Sequence, residues 1–286
     1  MMLSTMNPSY MPASCGATIG PRQTNRRGGP QPELALVIPT LCEAQNIRAL
    51  LKQVCACLDP LGTSFEILVV DDDSHDRTGE IVASIAREDS RVRLLTRKGQ
   101  RGLSGAILHG WEHTVAEILA AMDADLQHPP ELLPAMFASI LAGRDLVLAS
   151  RYVKDGDLGS WSPARKLLSR IAAMATRPIQ RAGLIARDPL SGFFMVRREC
   201  LGETQFQRSG FKLLLEILVR ARIQSVEEIP LIFSRRSHGV SKANLKVAWD
   251  FVRLLAGLYA GRFELTDWSR PRRLIAWSLQ RRQQNP

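Results

Sequence analysis

The sequence predicts an α/β domain built on a largely parallel sheet, and three observations predict it. Short apolar runs rich in β-formers recur between Leu34 and Ala149. Stretches with helical spacing separate them, as in a sheet covered on both faces. Three of the runs end in unusual polar clusters, at the carboxyl ends where such sheets gather their chemistry.

The first run, Leu34 to Ile38, is closed by Pro39, and a helix is expected from about Glu43 to Leu58. Phe65 to Val70 is the next strand and leads into Asp71-Asp72-Asp73, with a second helix from about Asp76. Arg91 to Leu95, Ile118 to Met122 and Leu146 to Ala149 supply further strands. Beyond residue 150 the pattern loosens. Pro163 to Leu184 reads as a basic amphipathic helical stretch broken near Pro178, Phe211 to Arg222 as a helix, and Pro189 to Val196 and Val226 to Phe233 as strands. In the helical tail, Ala243 to Phe263, the spacing of Lys246, Asp250 and Arg253 puts them on one narrow face. The wide apolar arc around them suits either packing on the domain or a bilayer interface, and the accompanying Trp, Tyr and basic residues favour the interface. The first thirty or so residues are rich in Ser, Pro, Gly and Arg and lack the apolar core of a signal peptide, so 1–32 is expected to be a disordered N-terminal extension.

The chain has 286 residues, an ordinary apolar share of 45% and a formal charge of +10. That basic excess suits an anionic partner: nucleic acid, a phosphorylated substrate or an acidic membrane surface. The five cysteines are odd in number and lack zinc-ribbon spacing, so reduced thiols in a cytosolic setting are expected. No uninterrupted apolar run reaches the roughly 18 residues of a membrane-spanning helix.

Met122-Asp-Ala-Asp-Leu-Gln-His-Pro-Pro-Glu131 is the segment that carries the chemistry. Alternate residues of an extended segment point the same way, so Asp123, Asp125 and Gln127 can present oxygen atoms to one side. Hard oxygen ligands at that spacing suit Mg²⁺ or Mn²⁺, which shares its other positions with water and substrate phosphates. A divalent ion there would offset the charge that develops on a departing diphosphate.

With Val37-Ile-Pro-Thr, Val69-Val-Asp-Asp-Asp-Ser, Gly102-Leu-Ser-Gly-Ala, Ser150-Arg-Tyr, Asp188-Pro-Leu-Ser-Gly-Phe-Phe and Gly239-Val-Ser-Lys242, that segment resembles the dolichyl- or polyprenyl-phosphate mannose synthase branch of glycosyltransferase family 2. The resemblance spans about Leu34 to Lys242 and implies a GT-A, Rossmann-like fold with C-terminal amphipathic interface helices. It implies an inverting transfer of mannose from GDP-mannose to dolichyl or polyprenyl phosphate, dependent on a metal. Pro39, Leu41, Glu43, Val70 and Asp72 are then expected to cradle the nucleotide base and ribose. Asp123 and Ala124 line the donor, Asp125 and Gln127 hold the metal, and Arg151 meets donor phosphates or sugar. Arg165 and Ser169, one helical turn apart, grip the acceptor phosphate, while Arg236 and Lys242 lie on a loop that closes over the diphosphate. The catalytic domain is expected at 33–242, followed by an amphipathic membrane-interface helix and basic tail at 243–286, with the enzyme peripheral on the cytoplasmic face of a membrane.

The chain departs from the family pattern at Cys42, where Asn is usual, at Leu41, where Tyr is common, and at Val240, where Glu is usual. The first two bear on the base, and leave a UDP-sugar such as UDP-glucose as the alternative donor for the same acceptor. A non-catalytic nucleic-acid-binding protein is suggested by charge alone, without an aromatic RNA-binding strand or a recognition helix, so no nucleic-acid partner is expected. His109-Gly-Trp-Glu-His113 matches a zinc-peptidase string, but it follows the glycine-rich turn and reads better as a helix-surface pair.

Overall fold

The structure, a computed structural model, describes residues 16–18, 31–157, 162–181, 183–207, 212–232 and 245–265. In chain order the elements are β1 (Gly16–Thr18), β2 (Leu34–Thr40), α1 (Ile47–Leu58), β3 (Phe65–Asp71), α2 (Thr78–Glu88), β4 (Val92–Thr96), α3 (Leu103–Glu112) and β5 (Ile118–Ala121). Then come α4 (Leu133–Leu141), β6 (Leu146–Ser150), α5 (Pro163–Ala175), β7 (Phe194–Arg197), α6 (Arg198–Leu201), β8 (Gln205–Gln207), α7 (Leu213–Arg220), β9 (Val226–Pro230) and α8 (Leu245–Leu265).

Seven strands form the main sheet in the order β4-β3-β2-β5-β7-β6-β9. The chain winds outward from β2 through β3 to β4, then crosses back to lay β5 against the other side of β2. That reversal opens a crevice at the carboxyl ends of β2 and β5, where open α/β sheets bind ligands. β2 and β3 are buried along their whole length, so their residues alternate between two cores rather than between core and water. Ala35 and Val37 face Leu108 and Trp111 of α3, while Leu34, Leu36 and Ile38 face Leu50, Leu51 and Val54 of α1. Gly110 lets α3 approach β2 closely, since a Cβ there would lie 2.6 Å from a methyl of Val37.

Several expectations shift. β7 runs antiparallel to both β5 and β6, which the parallel reading did not anticipate. The strand expected from Pro189 begins only at Phe194, because the Asp188 and Ser191 side chains are drawn into bonds with Arg151 and the Ala149 carbonyl. The first helix starts at Ile47 instead of Glu43, since the amides of Cys42, Glu43 and Ala44 bond the side chains of Ser74, Thr78 and Asp76, in the loop after β3 and at the start of α2, rather than opening a helical turn. Residues 16–18, inside the stretch expected to be disordered, form β1 and pair antiparallel with β8.

The break in the third helical stretch falls where Pro178 was expected to put it. α5 ends at Ala175 and a short 3₁₀ turn spans Arg177–Ile179. α8 packs on the domain through Leu254 and Leu258, which join Ile179, Leu190 and Leu215, and through the Tyr259 hydroxyl, which donates to the Ala175 carbonyl over 2.8 Å. Trp249 and Val252 of the same helix remain exposed, so the helix serves packing on one side and presents apolar surface on the other. Among the described residues no helix is long and apolar enough to cross a membrane.

Candidate active site

Parallel pairing of β2 with β3 sets Pro39 beside Val70 and Thr40 beside Asp71. The amide of Met122 donates to the Val37 carbonyl over 3.1 Å and carries Asp123 to the same end of the sheet. Pro39, Leu41, Glu43, Val70, Asp72, Asp123 and Ala124 thus lie at or just past the carboxyl ends of β2, β3 and β5, with Val70 and Ala124 themselves buried in the core.

The turns that shape this rim are tied by side chains. Asp71 accepts from the Thr40 and Ser74 hydroxyls at 2.9 and 2.6 Å. Glu43 accepts from the Asn46 side-chain amide at 2.9 Å, and its backbone amide donates to the Thr78 hydroxyl. Burial alone would raise the Asp76 carboxyl, but hydrogen bonds from the Thr78 hydroxyl and the Ala44 amide hold it below the usual carboxylate range. Cys42, Asp73, Arg77 and Leu126 all adopt positive φ, between 59° and 71°. Non-glycine residues rarely do so, and the surrounding bonds hold them there.

Asp72 is engaged more heavily than a simple ribose contact requires. Its carboxylate forms a two-pronged pair with Arg97, at 2.7 and 2.8 Å, and accepts the Gly102 amide at 2.9 Å. Both partners of that pair are buried, at 3% and 8% side-chain exposure, so Asp72 braces the rim by joining β3, the end of β4 and the start of α3.

At the end of β5, Asp123 lies against Gly192, where a Cβ would stand 2.5 Å from Oδ2 of the carboxylate. Burial pushes the Asp123 carboxyl up; the His128 ring, 3.8 Å away, counters this and the like charge of Asp125 adds to it. Burial lowers His128 in turn, favouring the neutral ring, which packs at 5.6 Å from Phe193. Asp125 accepts the Gln127 amide at 3.1 Å, a local turn that keeps the two side chains on one loop.

Arg151, at the end of β6, is clamped by Asp188 through two bonds of 2.7 Å, and its backbone amide also donates to that carboxylate. Burial alone would lower this guanidinium, but Asp188 holds it charged. Glu228 steadies Asp188 by accepting its amide and that of Arg187. Lys212 donates to the Leu190 carbonyl over 3.0 Å, and burial, reinforced by Arg151, pushes it down to about 8 against the pull of Asp123 and Asp188. Ser169 accepts from the Tyr152 hydroxyl at 2.6 Å, whereas Arg165, on the same helix, is exposed. Arg236 and Lys242 lie outside the described residues.

Sequence reasoning singled out the segment Asp188 to Phe194 without giving Asp188 or Gly192 a task. Nothing in the local pattern marked Arg97 or Lys212, whose partners are distant in sequence. The rings of His109 on α3 and His113 just past its end lie 4.2 Å apart at a tilt of 47°, and no group of three His, Cys, Asp or Glu that could hold a metal exists among the described residues, so none of these supplies the peptidase string with a third ligand.

Residues 35–204 match the family described as glycosyl transferase family 2. The dolichol-phosphate mannosyltransferase of Pyrococcus furiosus is 36% identical over 221 residues, covering 77% of this chain. The match spans 62% of that protein's length. A protein of the same name from Saccharomyces cerevisiae is 33% identical, with 81% of this chain and 88% of that protein covered. Among solved structures, the glucosyl-3-phosphoglycerate synthase of Mycobacterium tuberculosis, in complex with Mn²⁺, UDP-glucose and glycerol 3-phosphate, superposes with a TM-score of 0.59 at 21% identity, over 81% of this chain and 80% of that one. That likeness is one of fold and identifies the crevice sheet as a GT-A arrangement. The family match and the two relatives together place the chain in glycosyltransferase family 2.

Proposed function

We propose that the protein transfers mannose from GDP-mannose to dolichyl or another polyprenyl phosphate, with inversion, giving a β-linked product. The observation that carries this reading is the placing of Asp123 and Asp125 at the reversal of the sheet, with Arg151 held charged beside them, in a chain similar to two dolichol-phosphate mannosyltransferases. The nucleotide is expected along Pro39, Leu41, Glu43, Val70 and Asp72, with Asp123 and Ala124 beside the sugar.

The donor set fits a hard divalent cation: two carboxylates and an amide oxygen on one short loop, one of those carboxyls pushed up by burial and by its neighbour's like charge. Asp123, Asp125 and Gln127 would hold Mg²⁺ or Mn²⁺, whose contribution is to offset charge developing on the leaving diphosphate.

The rest falls to the chain's own residues. A lipid phosphate is largely dianionic at neutral pH, its second pKa being about 6, so it attacks without a general base. The site's task is to align two anionic groups at one carbon and balance their charge. Arg151 supplies a fixed cation, Lys212 a second one close by, and Arg165 and Ser169 approach from α5. Arg236 and Lys242 are assigned to the donor diphosphate by resemblance. The exposed Leu167, Leu168, Ile171 and Met174 of α5, with Trp249 and Val252 of α8, offer an apolar surface for peripheral attachment, on the cytoplasmic face where nucleotide sugars are at hand.

The test is transfer of radiolabel from GDP-mannose or UDP-glucose, in parallel, to a short polyprenyl phosphate with Mg²⁺ or Mn²⁺. Lipid-extractable mannose, abolished by EDTA and by Asp125→Ala, is the expected result. Label from UDP-glucose alone would overturn the donor, and an α-linked product would overturn the inversion.

A further inference from the structure

Beside Arg151, on the side of α5, lies a cavity of about 370 Å³ lined by Arg151, Tyr152, Arg170, Met174, Arg177 and Arg187, among others. Arg151 is paired there with Asp188. The other three arginines are not: among the described residues no ion pair joins Arg170, Arg177 or Arg187 to a carboxylate. Glu228, close by through Arg187, is taken up by the backbone amides of Arg187 and Asp188. Guanidinium groups around one hollow repel each other unless an anion enters, and their planar forks match the oxygens of a phosphate.

This cavity is set apart from the residues expected to grip the acceptor phosphate. Arg170, Ala173 and Met174 occupy an arc of α5 roughly 100° on from that of Arg165 and Ser169, at 3.6 residues per turn. Tyr152 links the two, lining the cavity while its hydroxyl bonds Ser169. The wall is partly apolar: Ala173 and Met174 line it, and Met174 continues into exposed Ile171, Leu167 and Leu168 along the helix. A bare phosphate or a nucleic-acid backbone would leave that arc uncovered. A phosphate bearing a hydrocarbon chain fills both halves.

We propose that the cavity is a second phosphate subsite, taking the head of an amphiphile whose chain runs over Met174 and Ile171. Two sources share this chemistry: the phosphate of a polyprenyl acceptor approaching Arg151, and the phosphodiester head of an anionic phospholipid. The inference rests on the lipid-phosphate reading for the first source only, so binding is measured without donor or turnover.

The full-length protein is titrated with citronellyl phosphate, and with citronellol as the same chain lacking phosphate. Its partition onto phosphatidylcholine vesicles with and without phosphatidylglycerol is measured alongside. The variant is Arg170→Gln/Arg177→Gln/Arg187→Gln, with Arg165→Gln for comparison and GDP affinity as the check on folding. These three side chains are exposed, so the fold should tolerate their loss. Losing charge-assisted bonds to the phosphate predicts that citronellyl phosphate binding weakens at least about tenfold in the triple variant, with GDP binding unchanged. Lost preference for phosphatidylglycerol vesicles, with citronellyl phosphate unaffected, assigns the site to bilayer phospholipid. Unchanged binding of both overturns the subsite, as does equal affinity for citronellol. Binding in the wild type without any mannosyl transfer would leave the subsite standing and sink the proposed reaction.

Discussion

At the scale of single residues, the contact between Gly192 and Asp123 is the tightest constraint on the site. Gly192→Ala places a methyl 2.5 Å from Oδ2 of Asp123, and the carboxylate has to move. Displacement of a positioning group by about 1 Å can cost on the order of a hundredfold in rate. A loss of that order in kcat/KM for transfer is expected, with thermal stability little changed, and steady-state kinetics beside a melting curve check it. Lys212 makes a prediction about stability and pH. Its folded pKa of about 8 lies below the ordinary lysine value of 10.5, so between the two the unfolded chain keeps a proton that the native state has released. Stability contributed at this site therefore rises with pH through that window, from a penalty in full force below about 8. The buried Cys200 thiol, pushed up to about 12, acts in the opposite sense above 9.0, so the comparison is best made between pH 7.5 and 9. Urea unfolding of the wild type and Lys212→Met over roughly that range should show the wild type gaining on the variant as pH rises. Parallel curves would show that the lysine is solvated.

At the scale of elements, the Asp72–Arg97 pair holds the ends of β3 and β4 to the start of α3. Removing one partner of a buried, hydrogen-bonded pair leaves an uncompensated charge, at a cost of about 3–5 kcal/mol. Arg97→Ala should lower stability by that amount in urea unfolding and weaken nucleotide binding as the rim loosens. If stability is kept while binding falls, Asp72 acts on the nucleotide directly and its structural role is minor. α8 is fastened to the domain by Leu254, Leu258 and the Tyr259 hydroxyl. The helix expected to favour a membrane interface is therefore anchored first, with Trp249 and Val252 left on its outer side.

At the scale of the whole molecule, α5 and α8 both present exposed apolar residues, and those of α5 adjoin the cavity beside Arg151. A membrane there would bring the acceptor's phosphate to the site while the nucleotide enters from water. Burying one leucine side chain is worth about 1.5–3 kcal/mol. Leu167→Ser/Leu168→Ser should therefore reduce partition onto anionic vesicles by on the order of tenfold or more, with the unfolding midpoint nearly unchanged, as sedimentation with liposomes would show. Equal sedimentation of the variant and the wild type would remove α5 from the membrane surface.

Much of the fold was legible because it is written locally. Apolar runs such as Leu34 to Ile38 and Phe65 to Val70 have the length and composition of buried strands, and the polar residues closing them mark the strand ends that carry chemistry. The carboxylates at 123 and 125 were read as neighbours on an extended segment, but residues 124–126 bend instead, with Leu126 at φ 59° and the Gln127 amide turned back onto Asp125. Pairing partners were not legible locally. The antiparallel β7, the clamp of Asp188 on Arg151, the brace of Arg97 on Asp72 and the approach of Gly192 to Asp123 all join residues at least 25 positions apart. Spacing describes a side chain's direction relative to its neighbours in the same element. Which distant charge or backbone it meets depends on how the elements pack, and that packing decided how the site is held.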